Sequence, residues 1–170
     1  KFIKNNLVTW DRAAKEFGGP KEIITAILGI ETRYGKILGN YRVIDSLTTL
    51  GFDYPRRSAF FKDELTKFFL LTRENNLDIY SVKGSYAGAM GYGQFISSSY
   101  RAYAIDFDGD NSIDLFNSVD DAIGSIANYL KVHGWKKIGE IVSESSLNNV
   151  REIYKPHDSL SKFIPLSFNE

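Results

Sequence analysis

Residues 23–35 read I-I-T-A-I-L-G-I-E-T-R-Y-G, an apolar run at helical spacing that carries one carboxylate. At about 100° of rotation per residue, Glu22, Thr25, Gly29, Thr32, Arg33 and Lys36 fall on one side, and Ile23, Ile24, Ile27, Leu28, Ile30 and Tyr34 on the other. Glu31 falls among the apolar group. Pro20 opens this helix and Gly35 is placed to close it, so Glu31 belongs to the last turn, beside a loop. A fold built on this segment therefore has to hold a carboxyl at the edge of its core. Contact with aliphatic and aromatic groups disfavours the charged form, so the expected pKa is raised and the group can give up a proton near neutral pH, as a general acid does. The structural alternative is a buried carboxylate paired with Arg33 or Arg42.

The rest of the chain has the same helical punctuation. Residues 1–17 read as one helix, ended by Gly18-Gly19-Pro20. Residues 43–50 read as a short helix and residues 51–57 as a turn. Residues 58–75 carry Phe60, Phe61, Leu65, Phe68, Phe69 and Leu71 at the spacing of a long core helix. Ser97, Ser98 and Ser99 offer N-cap chemistry for a helix through Ala104. Residues 119–133 place Ile123, Ile126, Ala127 and Leu130 on one face of a helix that Gly134 stops. His133, at that helix end, is expected to pack there and not to serve as a ligand or triad member. The expected fold class is mainly α, α+β at most.

With 170 residues and 43% hydrophobic content the chain can bury one sizeable core. Lys plus Arg and Asp plus Glu balance at 21 each, which leaves no basic surplus for phosphates, so nucleic acid is not an expected partner. The absence of cysteine removes disulfides, thiolate catalysis and cysteine-type zinc sites together. No run approaches the ~20 apolar residues of a membrane span.

Two stretches are not explained by core packing. Residues 84–95, G-S-Y-A-G-A-M-G-Y-G-Q-F, contain four of the 14 glycines. That density implies turns of positive φ or backbone that something approaches closely. Ser85, Tyr86, Tyr92 and Gln94, set between the glycines, offer hydroxyls, rings and an amide suited to sugar hydroxyl and acetamido groups. Residues 106–114, D-F-D-G-D-N-S-I-D, set oxygen-bearing side chains at alternate positions, as an EF-hand loop does, with Ile113 at its apolar eighth position. Asn111 replaces the usual glycine at position six, a substitution that asparagine tolerates in the left-handed region. Asn117 replaces the closing glutamate, which leaves Asp121, or less readily Asp120, to complete the set. The alternative is a solvated acidic turn.

The blocks G-I-E-T-R-Y-G around Glu31, F-D-Y-P-R-R at residues 52–57, K-G-S-Y-A-G-A-M-G-Y-G-Q-F at residues 83–95, D-F-D-G-D at residues 106–110 and D-A-I-G-S-I-A-N-Y at residues 121–129 resemble, in this order, the lytic murein transglycosylases of the B type. The resemblance runs from about Pro20 to Trp135. It implies a lysozyme-like, mainly helical core, with Glu31 as the single catalytic acid and base. Ser85 and Gln94, with Met90 and Tyr92 close by, would line the sugar site, and Tyr129 would lie in the cleft. A structural calcium ion would be held by Asp106, Asp108, Asp110 and Ser112, with Asp121 as the distant ligand. Peptidoglycan glycan strands are the implied partner, in the bacterial periplasm or cell envelope, with an outer-membrane anchor in the precursor and a monomer as the expected state.

The resemblance implies residues 1–135 as the catalytic core and residues 136–170 as an appendage that does not match the family's usual cleft-completing segment. Asp45 and Asp53, the next carboxylates after Glu31 in sequence, lack its apolar setting, so a hydrolase with two working carboxylates is the weaker expectation. A non-catalytic, calcium-stabilised peptidoglycan-binding module is the other alternative.

Overall fold

The computed structural model describes residues 2–135; the appendage expected over residues 136–170 lies outside them. Seven α-helices carry the described chain: α1 (Phe2–Asn5), α2 (Leu7–Phe17), α3 (Lys21–Thr32), α4 (Val43–Asp53), α5 (Ser58–Glu74), α6 (Ser97–Tyr103) and α7 (Val119–Val132). A two-residue antiparallel pair, β1 (Tyr41–Arg42) with β2 (Lys83–Gly84), is the described sheet, in the register Tyr41 to Gly84 and Arg42 to Lys83. The chain is mainly helical, as its periodicity predicts.

The core gathers around α7. Sequence spacing predicts one apolar face, but residues 121–127 are buried without a break. Small side chains allow this: a Cβ on Gly124 would stand 2.3 Å from the ring of Phe107, and the Ser125 hydroxyl accepts from the Ile105 N–H at 2.9 Å. A helix enclosed on all sides is apolar or small all round. α2 packs along it, with buried Trp10 and Ala13. α4, α5 and α6 pack in succession, and Phe61, Leu65, Phe68 and Leu71 fill the space beneath them. Phe69, counted on the core stripe by spacing, faces solvent.

Three further expectations are corrected. The first helix breaks at Asn6, whose side-chain amide donates to the Phe2 carbonyl at 3.0 Å and competes with continuation of the ladder. No serine caps α6. Ile96 holds the cap position and Ser97 is buried, while the Glu64 carboxylate on α5 accepts the Ser98 N–H at 2.9 Å. A carboxylate from a neighbouring helix meets the same orphan donor that a cap would. On α3 the buried side is Ile24, Thr25, Leu28 and Thr32, whereas Ile30 is 66% exposed. The threonines enter the core because their hydroxyls are satisfied there, Thr25 by the Lys21 carbonyl at 2.5 Å and Thr32 as described below.

Candidate active site

Glu31 sits in the last turn of α3, half-buried at the border of the core-facing side. Among the described residues no ion pair or hydrogen bond engages its carboxyl. Arg42, one of the two conceivable partners, turns to Asp45 at 2.6 Å in an exposed pair. Burial, with no compensating cation, raises the Glu31 carboxyl above its ordinary value of 4.5. Burial thus favours the protonated form of this group.

The backbone reverses sharply after it. Arg33, Tyr34 and Gly35 have φ of 50°, 61° and 81°, three left-handed residues in a row, so the helix closes on Arg33 and not on Gly35 itself. The Arg33 and Tyr34 N–H groups donate back to the carbonyls of Gly29 and Leu28 at 3.1 and 3.0 Å, which satisfies the end of α3 as a Schellman-type cap does. Gly35 is required where it stands, because a Cβ there would lie 2.0 Å from the ring of Tyr92. That contact brings the glycine-rich loop against the end of α3.

The loop is held internally by reciprocal bonds between Met90 and Phe95, each 2.9 Å. The Ser85 hydroxyl accepts the N–H groups of Ala87 and Ala89 at 3.3 and 3.1 Å, so part of its capacity is spent in shaping the turn. Gln94 takes φ 48°, and its amide donates to the carbonyls of Gly91 at 3.0 Å and Leu38 at 3.3 Å, tying the loop to the segment after α3. The close approach of Gly39 to Gly84 makes the same connection through backbone. Ser85, Tyr92 and Gln94 are half-buried, Tyr86 is exposed, and Met90 is fully enclosed in the core. Met90 therefore shapes the loop from beneath. Tyr129 lies on α7, edge-on to Phe95 and Tyr103 and stacked on His133 at 3.9 Å. Burial first, and Tyr103 second, raise its phenol above the ordinary tyrosine range. His133 packs as expected, its Nδ1 2.8 Å from the Tyr129 carbonyl oxygen.

The aspartate loop is organised by its own carboxylates. Asp106 accepts the N–H groups of Gly109, Asp110 and Asn111, and Asn111 takes the left-handed φ of 69° that the position needs. One oxygen each of Asp106, Asp108 and Asp110 lies within 4.8 Å of the others, with Asp108 and Asp110 exposed. Three gathered carboxylates fit a hard divalent cation, whose charge offsets their mutual repulsion. Asp121 is 1% exposed and stands behind the loop, accepting the N–H groups of Phe107, Asp108 and Asp114 at 2.7, 3.3 and 2.8 Å. Burial raises its carboxyl above the ordinary aspartate range, while these three N–H groups pull it the other way. Asp120 turns away to Thr9 on α2. Ser112 is exposed and contributes its N–H to Asp110 at 2.8 Å.

Several residues in this architecture escape periodicity. Arg12 on α2 stacks over the Phe107 ring at 3.7 Å and donates to its carbonyl, which pins the loop to α2. Burial pushes the Tyr100 phenol up to about 12, so it keeps its proton and donates to the Ile113 carbonyl at 2.8 Å. The Leu115 carbonyl then accepts the Tyr92 N–H at 2.8 Å, which joins the aspartate loop to the glycine-rich one. Two surface depressions of about 430 and 420 Å³, beside Phe107 and beside Ser98, are not lined by Glu31.

The chain is similar in sequence and fold to known proteins. The membrane-bound lytic murein transglycosylase B of Escherichia coli K12 is 50% identical over 142 residues, covering 79% of this chain and 39% of that protein. The crystal structure of the soluble lytic transglycosylase SltB1 from Pseudomonas aeruginosa superposes with a TM-score of 0.80 at 52% identity, covering 82% of this chain and 47% of that one. The Escherichia coli lytic transglycosylase Slt35 in complex with calcium gives 0.78 at 50% identity, covering 80% and 43%. The chain thus spans about two fifths of the length of the curated relative it matches, and its fold is lysozyme-like. A family model described as Transglycosylase SLT domain matches residues 1–162, and the chain belongs to that family.

Proposed function

We propose that this chain carries a peptidoglycan lytic transglycosylase site in which Glu31 is both acid and base. The observation that carries the reading is a half-buried carboxyl with a raised pKa and no paired cation among the described residues, at the end of a helix packed on a glycine-rich loop. Protonated Glu31 gives its proton to the β-1,4 glycosidic oxygen between N-acetylmuramic acid and N-acetylglucosamine. The C–O bond breaks and positive charge develops at the muramyl C1 and ring oxygen. Glu31, now ionised, accepts the proton of the muramyl C6 hydroxyl as that oxygen attacks C1, and a 1,6-anhydromuramyl end results. One carboxylate suffices because the nucleophile belongs to the substrate and has a high effective concentration.

Ser85, Gln94, Tyr92 and Tyr129 are proposed to contact the sugar, and Met90 to support the loop beneath it. Asp106, Asp108, Asp110 and Ser112 would hold a calcium ion whose role is to fix the loop. Asp121 would orient the loop through its N–H groups. The name of one relative, a membrane-bound lytic murein transglycosylase, supports a place in the bacterial cell envelope, and no described helix is long and apolar enough to cross a membrane.

The test is digestion of purified sacculi with the chain and with Glu31→Gln, followed by mass spectrometry of soluble products. The reading requires anhydromuropeptides from the wild type and none from the variant. Products one water heavier would make the site a hydrolase, and binding without release would make it a glycan-binding module.

A further inference from the structure

The chemistry proposed for Glu31 leaves its neighbour Thr32 without a role, yet this side chain is only 1% exposed. Its hydroxyl accepts the Gly35 N–H at 3.0 Å and stands 2.9 Å from the Tyr92 carbonyl, to which it donates. The Leu28 carbonyl, the usual i−4 acceptor of a helical threonine, is farther off at 3.3 Å. Thr32 thus shares its proton between its own helix and the glycine-rich loop, with the shorter bond to the loop. Among the described residues this is the one hydrogen bond between α3 and residues 84–95. Tyr92 is fixed from the other side as well, since its N–H donates to the Leu115 carbonyl and its ring fills the space left by Gly35. The left-handed run at residues 33–35 costs free energy wherever a side chain is present, and Thr32 holds that turn closed through Gly35.

We propose that Thr32 is a positioning residue, whose hydroxyl sets the place of the Glu31 carboxyl relative to the loop that would hold the sugar. The catalytic part of this inference rests on the transglycosylase reading, but the linkage itself does not. Displacing a proton donor by about 1 Å costs on the order of a hundredfold in rate, so one bond at this junction has leverage over turnover with little over binding.

Thr32→Val removes the hydroxyl at nearly constant volume, and Thr32→Ser restores it. On soluble glycan strands the valine variant is expected to lose roughly tenfold or more in kcat with KM within about threefold, and the serine variant to recover most of the loss. A purely structural role would lower the active fraction, which urea unfolding reports, and would leave kcat per folded molecule unchanged. Wild-type kcat in folded Thr32→Val, or equal losses in the serine and valine variants, overturns the proposal. If the valine variant does not fold, Thr32→Cys takes its place, since a thiol is only a weak donor and acceptor.

If the wild type releases no product at all, the transglycosylase reading fails and the linkage is read by NMR instead. In the valine or cysteine variant the Gly35 amide is expected to exchange faster, and the Glu31 carboxyl to titrate closer to 4.5 than in wild type as water reaches it. No change in either overturns the positioning role.

Discussion

Gly35→Ala tests whether the end of α3 and the glycine-rich loop are held as closely as described. Two costs add at this position. The left-handed backbone, φ 81°, disfavours any Cβ by about 1–2 kcal/mol. The new methyl would also lie 2.0 Å from Tyr92 Cε1 and 2.4 Å from Cζ, so the ring, carried on a backbone held at its N–H and carbonyl, must move, at about 1–3 kcal/mol for overpacking. The expected loss is about 2–5 kcal/mol, a large fraction of the stability of a small domain. Gly109→Ala is the control: its φ is 83° and nothing lies within 4 Å of its Cβ position. It should show the backbone cost alone, about 1–2 kcal/mol. Urea unfolding of both variants in chelator, followed by circular dichroism, gives the difference directly. Equal losses would refute the close contact with Tyr92, and with it the statement that Gly35 is there to admit that ring.

Other outcomes follow from the same geometry. Thermal unfolding should be higher in calcium than in chelator, by about 2.7 kcal/mol at a hundredfold excess over Kd, and identical midpoints would remove the cation from the aspartate loop. Asp121→Asn, measured in chelator, should cost about 1–3 kcal/mol, because its amide presents a donor to backbone N–H groups that now meet an acceptor; a loss below about 0.5 kcal/mol would refute that bracing. A carboxyl whose folded pKa is raised adds stability that is complete below its unfolded value and lost as pH rises through the folded one. Glu31→Gln should therefore be at least as stable as wild type at pH 7, and a lower midpoint for the variant at that pH would contradict a desolvated Glu31.

How far the sequence discloses this site depends on which interactions periodicity can register. Apolar spacing locates α3, α5 and α7, and the expectation that Glu31 lies in the last turn matches the structure. Spacing misplaces Thr25 and Thr32, because it scores a hydroxyl as polar and has no means of knowing that Lys21 and Tyr92 supply the acceptors that let it be buried. It treats α7 as amphipathic because Asp121 and Ser125 look like a solvent face. Both are buried by partners 14 and 20 residues away. Glycine density in residues 84–95 signals close approach, but which residues approach, Gly35 to Tyr92 and Gly39 to Gly84, is tertiary information. The alternating oxygens of residues 106–110 are local, and the gathered carboxylates match that pattern. Arg12 carries no sequence signal of its role, since a cation on a helix surface reads the same whether or not a ring lies beneath it.

A single acid at Glu31 requires that its carboxyl be poorly hydrated. The direct measurement is a pH titration of the chain labelled with carbon-13 at the glutamate carboxyls, with the Glu31 resonance assigned by its absence in Glu31→Gln. A midpoint clearly above 4.5 is the predicted result. A midpoint at or below that value would show a solvated or cation-paired side chain and would contradict its assignment as the acid.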